Sequence, residues 1–297
     1  MTKFDFMKAA KWWILLSLII SIAGIVSLAT RHLNTSIDFT GGSQITLSFD
    51  KAGPTQAQVE DAIKGVSKGV ATAQQDATDP RVFIVRTNFL DDTQQAQLKA
   101  EIPTKLGAAA ISVDAVDATV SKELTRTAVL ALIIASVLQI LYITFRFEYK
   151  FALTAIVAVL HDALIVLGMM SILGAQVGAP FVAAILTIVG YSINDTVVVF
   201  DRIRENLRIR KKETLRELVN KSVNQVWVRS VMAASTTLIA ILAVFIFGGS
   251  SVHDFALALL MGILTGGYSS IFIASALWLW WKESEQKGKA QPKTVST

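Results

Sequence analysis

Cysteine is absent from the 297 residues, which excludes disulfides, thiolate zinc sites and thiol nucleophiles. No Walker-type glycine loop is present, so nothing in the chain points to ATP use. Charge is scarce as well. Asp, Glu, Lys and Arg make up 17% of the chain against 53% hydrophobic residues. A soluble domain of this length does not spread its apolar residues over so many long runs, so the composition is that of a polytopic α-helical membrane protein. A net charge of +5 invites a nucleic-acid reading, but where the charge lies carries more weight than its sum.

Six apolar runs, at 12–29, 127–145, 151–173, 181–200, 226–247 and 255–281, approach or exceed the roughly 20 residues of a spanning helix. Lys3, Lys8 and Lys11 precede the first, as they would in a signal peptide. That run is nevertheless as long as a span, Trp12 and Trp13 suit an interfacial belt, and no small-x-small cleavage site follows, so an uncleaved helix is predicted. The last run is overlong and is expected to tilt or project from the bilayer. Residues 31–126 hold 10 of the 28 Lys and Arg against 12 of the 23 acids, for a net of −2. The other 18 basic residues lie at the N-terminus, at Arg146 and Lys150, within 202–229 and in the tail, while the loops near Gln176 and Ser250 carry none. The positive-inside rule then puts both termini in the cytoplasm and 31–126 outside. The predicted organisation is 1–30 (cytoplasmic N-terminus and first helix), 31–126 (extracytoplasmic domain), 127–281 (helices two to six) and 282–297 (cytoplasmic tail). The basic loop 202–221 could bind anionic lipid or nucleic acid, but topology alone explains it.

Within 31–126, residues 43–49 alternate as a strand, and 55–64 have helical spacing through Val59 and Ile63 with a start at Pro54 and Thr55. Strands follow at 70–74 and, after the Asp79-Pro80 turn, at 81–86. A second helix is expected at 91–106, broken near Pro103, and a last strand at 111–120. The order β-α-β-β-α-β suggests a small ferredoxin-like α+β domain. It holds no catalytic constellation, so it reads as a binding or moving part rather than an enzyme.

Asp195 lies inside the fourth run, several residues before a burst of charge. A carboxyl at that depth costs about 2.5–3.5 kcal/mol on insertion scales and belongs to a bundle interior or a wet cavity. A hydrogen-bonded packing residue is the plainer alternative; a proton or ion site is the reading preferred. Tyr191 and Ser192, at i−4 and i−3, share its face, and Asn194 and Thr196 flank it. His161 and Asp162 sit near the middle of the third run. Adjacent helical residues diverge by about 100° and are not expected to chelate one ion. On the fifth run Arg229 precedes Ser235, Thr236 and Thr237. Arg229, just inside the cytoplasmic boundary, could alone snorkel to the headgroups; pairing with Asp195, about 7–8 Å in from the same boundary at helical rise, is the cheaper arrangement for both charges. His253-Asp254 reads as a helix start with the acid near the first turn, and Gly262, Gly266 and Gly267 as a face for close helix packing.

Several of these stretches together resemble the SecF branch of the SecD/SecF family of bacterial protein export and, more distantly, half of an RND-superfamily transporter. They are Ile37-Asp38-Phe39-Thr40-Gly41-Gly42, Phe145-Arg146-Phe147-Glu148, His161-Asp162, the run from Gly190-Tyr191-Ser192-Ile193-Asn194-Asp195 on to Glu205-Asn206, and Ser222-Val223-Asn224-Gln225 followed by Arg229. The resemblance implies a six-helix half of a pseudo-symmetric bundle, partnered by SecD and the SecYEG channel in the bacterial cytoplasmic (inner) membrane. It implies that the proton-motive force helps move preproteins, with the outer domain as the mobile part and no cofactor beyond the ion gradient. The fourth-span acid and fifth-span arginine of the family map onto Asp195 and Arg229 as the proton-linked pair. Tyr191, Ser192, Asn194, His161, Asp162 and Thr237 become candidate supporting groups, and Asp38, Phe39, Gly41 and Gly42 the motif after the first helix. Na⁺ stays open beside H⁺ as the driving ion. By this resemblance the chain is expected to begin and end as a SecF-type subunit alone. Three alternatives stand beside this reading: a non-conducting assembly subunit, half of a small-molecule exporter, and an intramembrane hydrolase on Asp162 and Asp195, which lacks a nucleophile pattern.

Overall fold

The computed structural model describes residues 4–50, 53–67, 69–76, 79–146, 148–210 and 212–290. Lys3, Phe147 and the tail from 291 on lie outside the described residues. The chain forms two compact units. One comprises Met1–Asn34, Leu132–Ala175 and Pro180–Thr297, the other Thr35–Ala131 with Gln176–Ala179.

Six helices among the described residues are long and apolar enough to cross a membrane. They are α1 (Phe6–Arg31), α5 (Ala118–Arg146), α6 (Tyr149–Leu173), α7 (Ala179–Arg208), α8 (Leu215–Phe247), and a sixth of α9 (Ser250–Ser269), a π-helical turn (Ser270–Ala274) and α10 (Ser275–Ala290). Each apolar run lies within one of them, and the chain is a polytopic α-helical membrane protein. Several helices outrun their apolar stretches, α7 and α8 on the side between them. α7 continues to Arg208 and α8 begins at Leu215 because these turns are amphipathic: Ile203, Leu218 and Val219 are buried under a charged outer face. A Thr214/Glu217 capping box starts α8, closing two orphan backbone donors reciprocally. Near the other end of the sixth helix the ring of Phe151 stacks on Trp278 at 4.7 Å, and Lys150 pairs with Glu285. Asp254 is the fifth residue of α9, near its first turn as expected.

Glycines set the closest helix crossings. A Cβ on Gly168 of α6 would stand 2.6 Å from the Cα of Gly24 on α1, so the two backbones touch. Ser27 and Ser171 hydrogen bond across the same crossing at 2.8 Å. Gly262 and Gly266 face α7, where added Cβ atoms would meet Ile188 at 2.3 Å and Ser192 at 3.2 Å; Gly267 turns to Ala234 of α8. Small residues at crossings let backbones approach where lipid offers no hydrophobic drive.

The other unit holds α2 (Ile37–Thr40), β1 (Gly42–Ser48), α3 (Gln56–Ser67), β2 (Ala71–Gln75), β3 (Val82–Thr87), α4 (Asp92–Leu106) and β4 (Ala110–Val116). From β1 on the elements run β-α-β-β-α-β. The sheet order is β2-β3-β1-β4 with every neighbouring pair antiparallel. In the register Ile45 lies opposite both Val85 and Val113. The alternation that marks β1 and β3 buries Ile45, Leu47, Phe83 and Val85 against Val59, Ile63, Leu98 and Ile102 of the two helices. Each such side chain contributes about 1.5–3 kcal/mol on full burial.

Two boundaries differ from expectation. α4 runs unbroken through Pro103 to Leu106, because Pro103 forfeits one amide bond a turn from the helix end while Leu98 and Ile102 anchor that helix on the sheet. β4 stops at Val116, since Asp117 accepts from the Thr119 amide at 2.7 Å and so starts α5 at Ala118.

Candidate functional site

Asp195 projects from α7 toward α8. Its Oδ1 accepts a 2.6 Å hydrogen bond from Ser230, and its Oδ2 is buried without a hydrogen-bond partner. Arg229 is exposed and within electrostatic reach of the carboxyl, but among the described residues no ion pair joins them. In this structure the expected pairing is not made. Depth along the helix placed Arg229 near Asp195, whereas azimuth decides contact, and Ser230, one residue and about 100° further round, holds the facing position. Tyr191 lies beside Thr237 of α8, whose hydroxyl donates to Ala233 O of its own helix. Asn194 points outward, exposed, and joins nothing at the site. Thr196 is buried and shares a 2.9 Å hydroxyl bond with Ser270.

A second polar cluster lies around Asp162, which is 1% exposed. Its Oδ2 accepts from Ser192 of α7 at 2.6 Å and from Ser269 of α9 at 2.7 Å. Its Oδ1 is 2.9 Å from Nδ1 of His161. The two adjacent side chains were expected to diverge. Their Cα–Cβ directions do, but the imidazole swings back over the carboxyl. His161 Nε2 meets the Ser17 hydroxyl of α1 and the Tyr268 hydroxyl at 3.4 Å.

The two clusters are neighbours. Ser192 binds Asp162 and stands three residues before Asp195. Ser269 binds Asp162, while the next residue, Ser270, binds Thr196. Both serines sit where α9 gives way to the π turn, and the Ser275 hydroxyl donates to Ser270 O at 2.9 Å. Such wide turns concentrate at functional sites. A cavity of about 660 Å³ borders both clusters, with Ser230 and Tyr268 among its lining residues beside Trp13, Trp227 and Phe272. Ser17, Ser230, Ser269 and Ser270 were missed by sequence reasoning, since a serine in a membrane helix carries no signal until its azimuth is known.

The 222–225 motif is structural glue. Ser222 and Gln225 accept from the buried Asn206 amide, each at 2.8 Å. Asn224 accepts from the Phe4 amide and donates to its carbonyl, and Asn220 accepts from the Phe6 amide at 2.8 Å.

In the other unit the motif after α1 makes a tight corner. Ser36 caps α2, whose half-buried Phe39 donates its amide to Ser36 O. Asp38 Oδ2 accepts from the Ala179 amide at 2.8 Å. Gly41 and Gly42 have φ of 71° and 111°, and a Cβ on Gly42 would stand 2.6 Å from Thr87 O. Gly42→Val therefore has to leave the left-handed region and break the β1–β3 edge. The expected cost is about 2–4 kcal/mol, read as faster hydrogen exchange across β1 and β3 in the full chain. Unchanged exchange would contradict this account.

Comparison with known proteins fits this arrangement. The family model for the SecD/SecF protein export membrane protein C-terminal region matches residues 97–284, and that for the SecD/SecF GG motif matches 26–52. The chain is 40% identical to the protein translocase subunit SecF of Alicyclobacillus acidocaldarius, covering 96% of this chain and 95% of that one. It is likewise 40% identical to the SecF subunit of Acidaminococcus fermentans, covering 95% and 99%. The crystal structure of SecDF from Thermus thermophilus, described as a translocon-associated membrane protein, superposes with a TM-score of 0.85 at 38% identity, over 95% of this chain and 39% of that longer one. With a match of this extent over both the helical region and the glycine corner, the chain belongs to the SecD/SecF family of protein export membrane proteins.

Proposed function

We propose that this chain is the SecF-type half of a SecD–SecF complex that uses the proton-motive force to assist preproteins leaving the SecYEG channel. A role in Sec-pathway protein translocation, as a transport subunit rather than an enzyme, follows from the family. The observation that carries the finer reading is the Asp195 carboxyl: one oxygen held by Ser230, the other buried and unpartnered. An unpartnered buried carboxylate oxygen is costly, and a proton on the carboxyl lowers that cost by removing the charge.

In this reading Asp195 alternates between a protonated form bound to Ser230 and an ionised form drawn to Arg229, the adjacent residue on α8. The change in partner shifts α7 against α8, and so one half of the complex against the other. The reading further places the protein in the bacterial inner membrane with both termini cytoplasmic, which agrees with the 18 basic residues outside 31–126. The test is preprotein release on the outer face of vesicles holding the chain with its SecD-type partner, with and without an imposed proton gradient, for wild type and Asp195→Asn. A sodium gradient in place of the proton gradient separates the two candidate ions.

A further inference from the structure

We propose that His161 and Asp162 form a second proton-carrying site in this subunit, distinct from Asp195; the inference builds on the reading of the chain as a proton-driven subunit. Asp162 is the more deeply buried of the two acids, and three donors converge on it from α6, α7 and α9. Among the described residues no Lys or Arg forms an ion pair with it. The groups facing the pair are Ser17 on α1, Ser192 on α7, and Tyr268 and Ser269 on α9; Asp195 lies one turn further along α7 and is turned to Ser230 of α8. Among the described residues, His161 is the group in contact with Asp162 that can supply a counter-charge. A carboxylate beside a neutral imidazole would leave an uncompensated charge inside the bundle, whereas one proton shared by the pair leaves it neutral. The pair is therefore a place to hold a proton, on imidazole nitrogen or on carboxyl oxygen, with Nδ1 and Oδ1 as the atoms between which it passes. Nε2, turned to Ser17 and Tyr268, is the face on which a proton enters or leaves.

Geometry joins this site to the other acid. Ser192 and Ser269 are the donors that respond to the charge on Asp162, and each is on the helix turn that also faces Asp195 or Thr196. The cavity reaches Tyr268 at one site and Ser230 at the other.

The test reconstitutes the chain with its SecD-type partner and follows gradient-driven proton entry with a trapped pH dye, beside assembly by co-purification. Asp162→Asn, nearly isosteric, is expected to assemble and to lower proton entry at least tenfold. Asp162→Glu, bulkier but protonatable, is expected to keep half or more. A packing role predicts the reverse order, and wild-type entry in Asp162→Asn likewise overturns the proposal. Should Asp162→Asn fail to assemble, His161→Gln keeps a donor to Oδ1 but cannot take up a proton; loss of entry supports the site and wild-type entry overturns it. The arm carrying Asp195→Asn separates the two readings. Normal entry there with loss in Asp162→Asn sinks the role of Asp195 and leaves this site standing. The opposite pair of results sinks this site alone.

Discussion

In vesicles holding the chain and its partner, Asp195→Asn is expected to release preprotein at the rate seen without a gradient, while the wild-type chain is accelerated tenfold or more. Asparagine has the size of aspartate, and its carbonyl can still accept from Ser230, so the contact between α7 and α8 survives. What it cannot do is gain and lose a proton. The membrane potential offers about 2.3 kcal/mol per charge per 100 mV, which by itself biases a two-state element by more than tenfold. Assembly with the partner should be unchanged. If both chains respond to the gradient alike, Asp195 is a packing residue and the subunit serves assembly. Arg229→Lys sharpens the result. A guanidinium that pairs in two places with the ionised carboxyl is not replaced by an ammonium, so gradient-driven release should fall, whereas a merely snorkelling arginine predicts no change.

Gly168→Leu is expected to lower the melting temperature of the detergent-solubilised protein by about 5 °C or more, given overpacking costs of roughly 1–3 kcal/mol or above. The cause is local. The Cα of Gly24 lies where the new Cβ must go, and neither backbone has room to yield without opening the α1–α6 crossing. Opening it strains three contacts together: Ser27 with Ser171, the Ser171 hydroxyl with His32 O at 2.8 Å, and Ser17 with His161. The defect should therefore reach transport as well as stability. Gly65→Ala, where nothing lies within 4 Å of the new atom, is the control and should melt no lower than wild type, since alanine favours a helix interior over glycine. Equal melting of Gly168→Leu and wild type would mean that the crossing is not held closed.

The features legible in the sequence were those written as patterns along one dimension. Apolar runs of about twenty residues marked the six helices, and alternation at Ile45, Leu47, Phe83 and Val85 marked the strands. Asp195 stood out because an acid interrupts an apolar run. What stayed hidden depends on angle. Depth alone suggested that Asp195 meets Arg229, but the helix turns Ser230 inward instead. Asn194, a candidate because it flanks Asp195, faces outward. Gly24 and Gly168 carry no repeat of their own, so their contact arises only when two helices, distant in sequence, cross. Pro103 misled in the other direction, because tertiary anchors at Leu98 and Ile102 outweigh one lost amide bond.

The π turn at Ser270–Ala274 makes the sixth helix one residue longer than its packing requires. An α-helix with such a turn keeps its register on both flanks, so length is negotiable at that point and nowhere else nearby. Deleting one residue inside 270–274 should convert the turn to ordinary α-helix and leave the Phe151–Trp278 stack and the Lys150–Glu285 pair in place. Deleting one residue on either side should instead rotate all that follows by about 100° and dismantle both. The surplus residue is what lets two consecutive serines address different partners, Asp162 and Thr196, and a family member that had dispensed with it would have to dispense with one of those bonds.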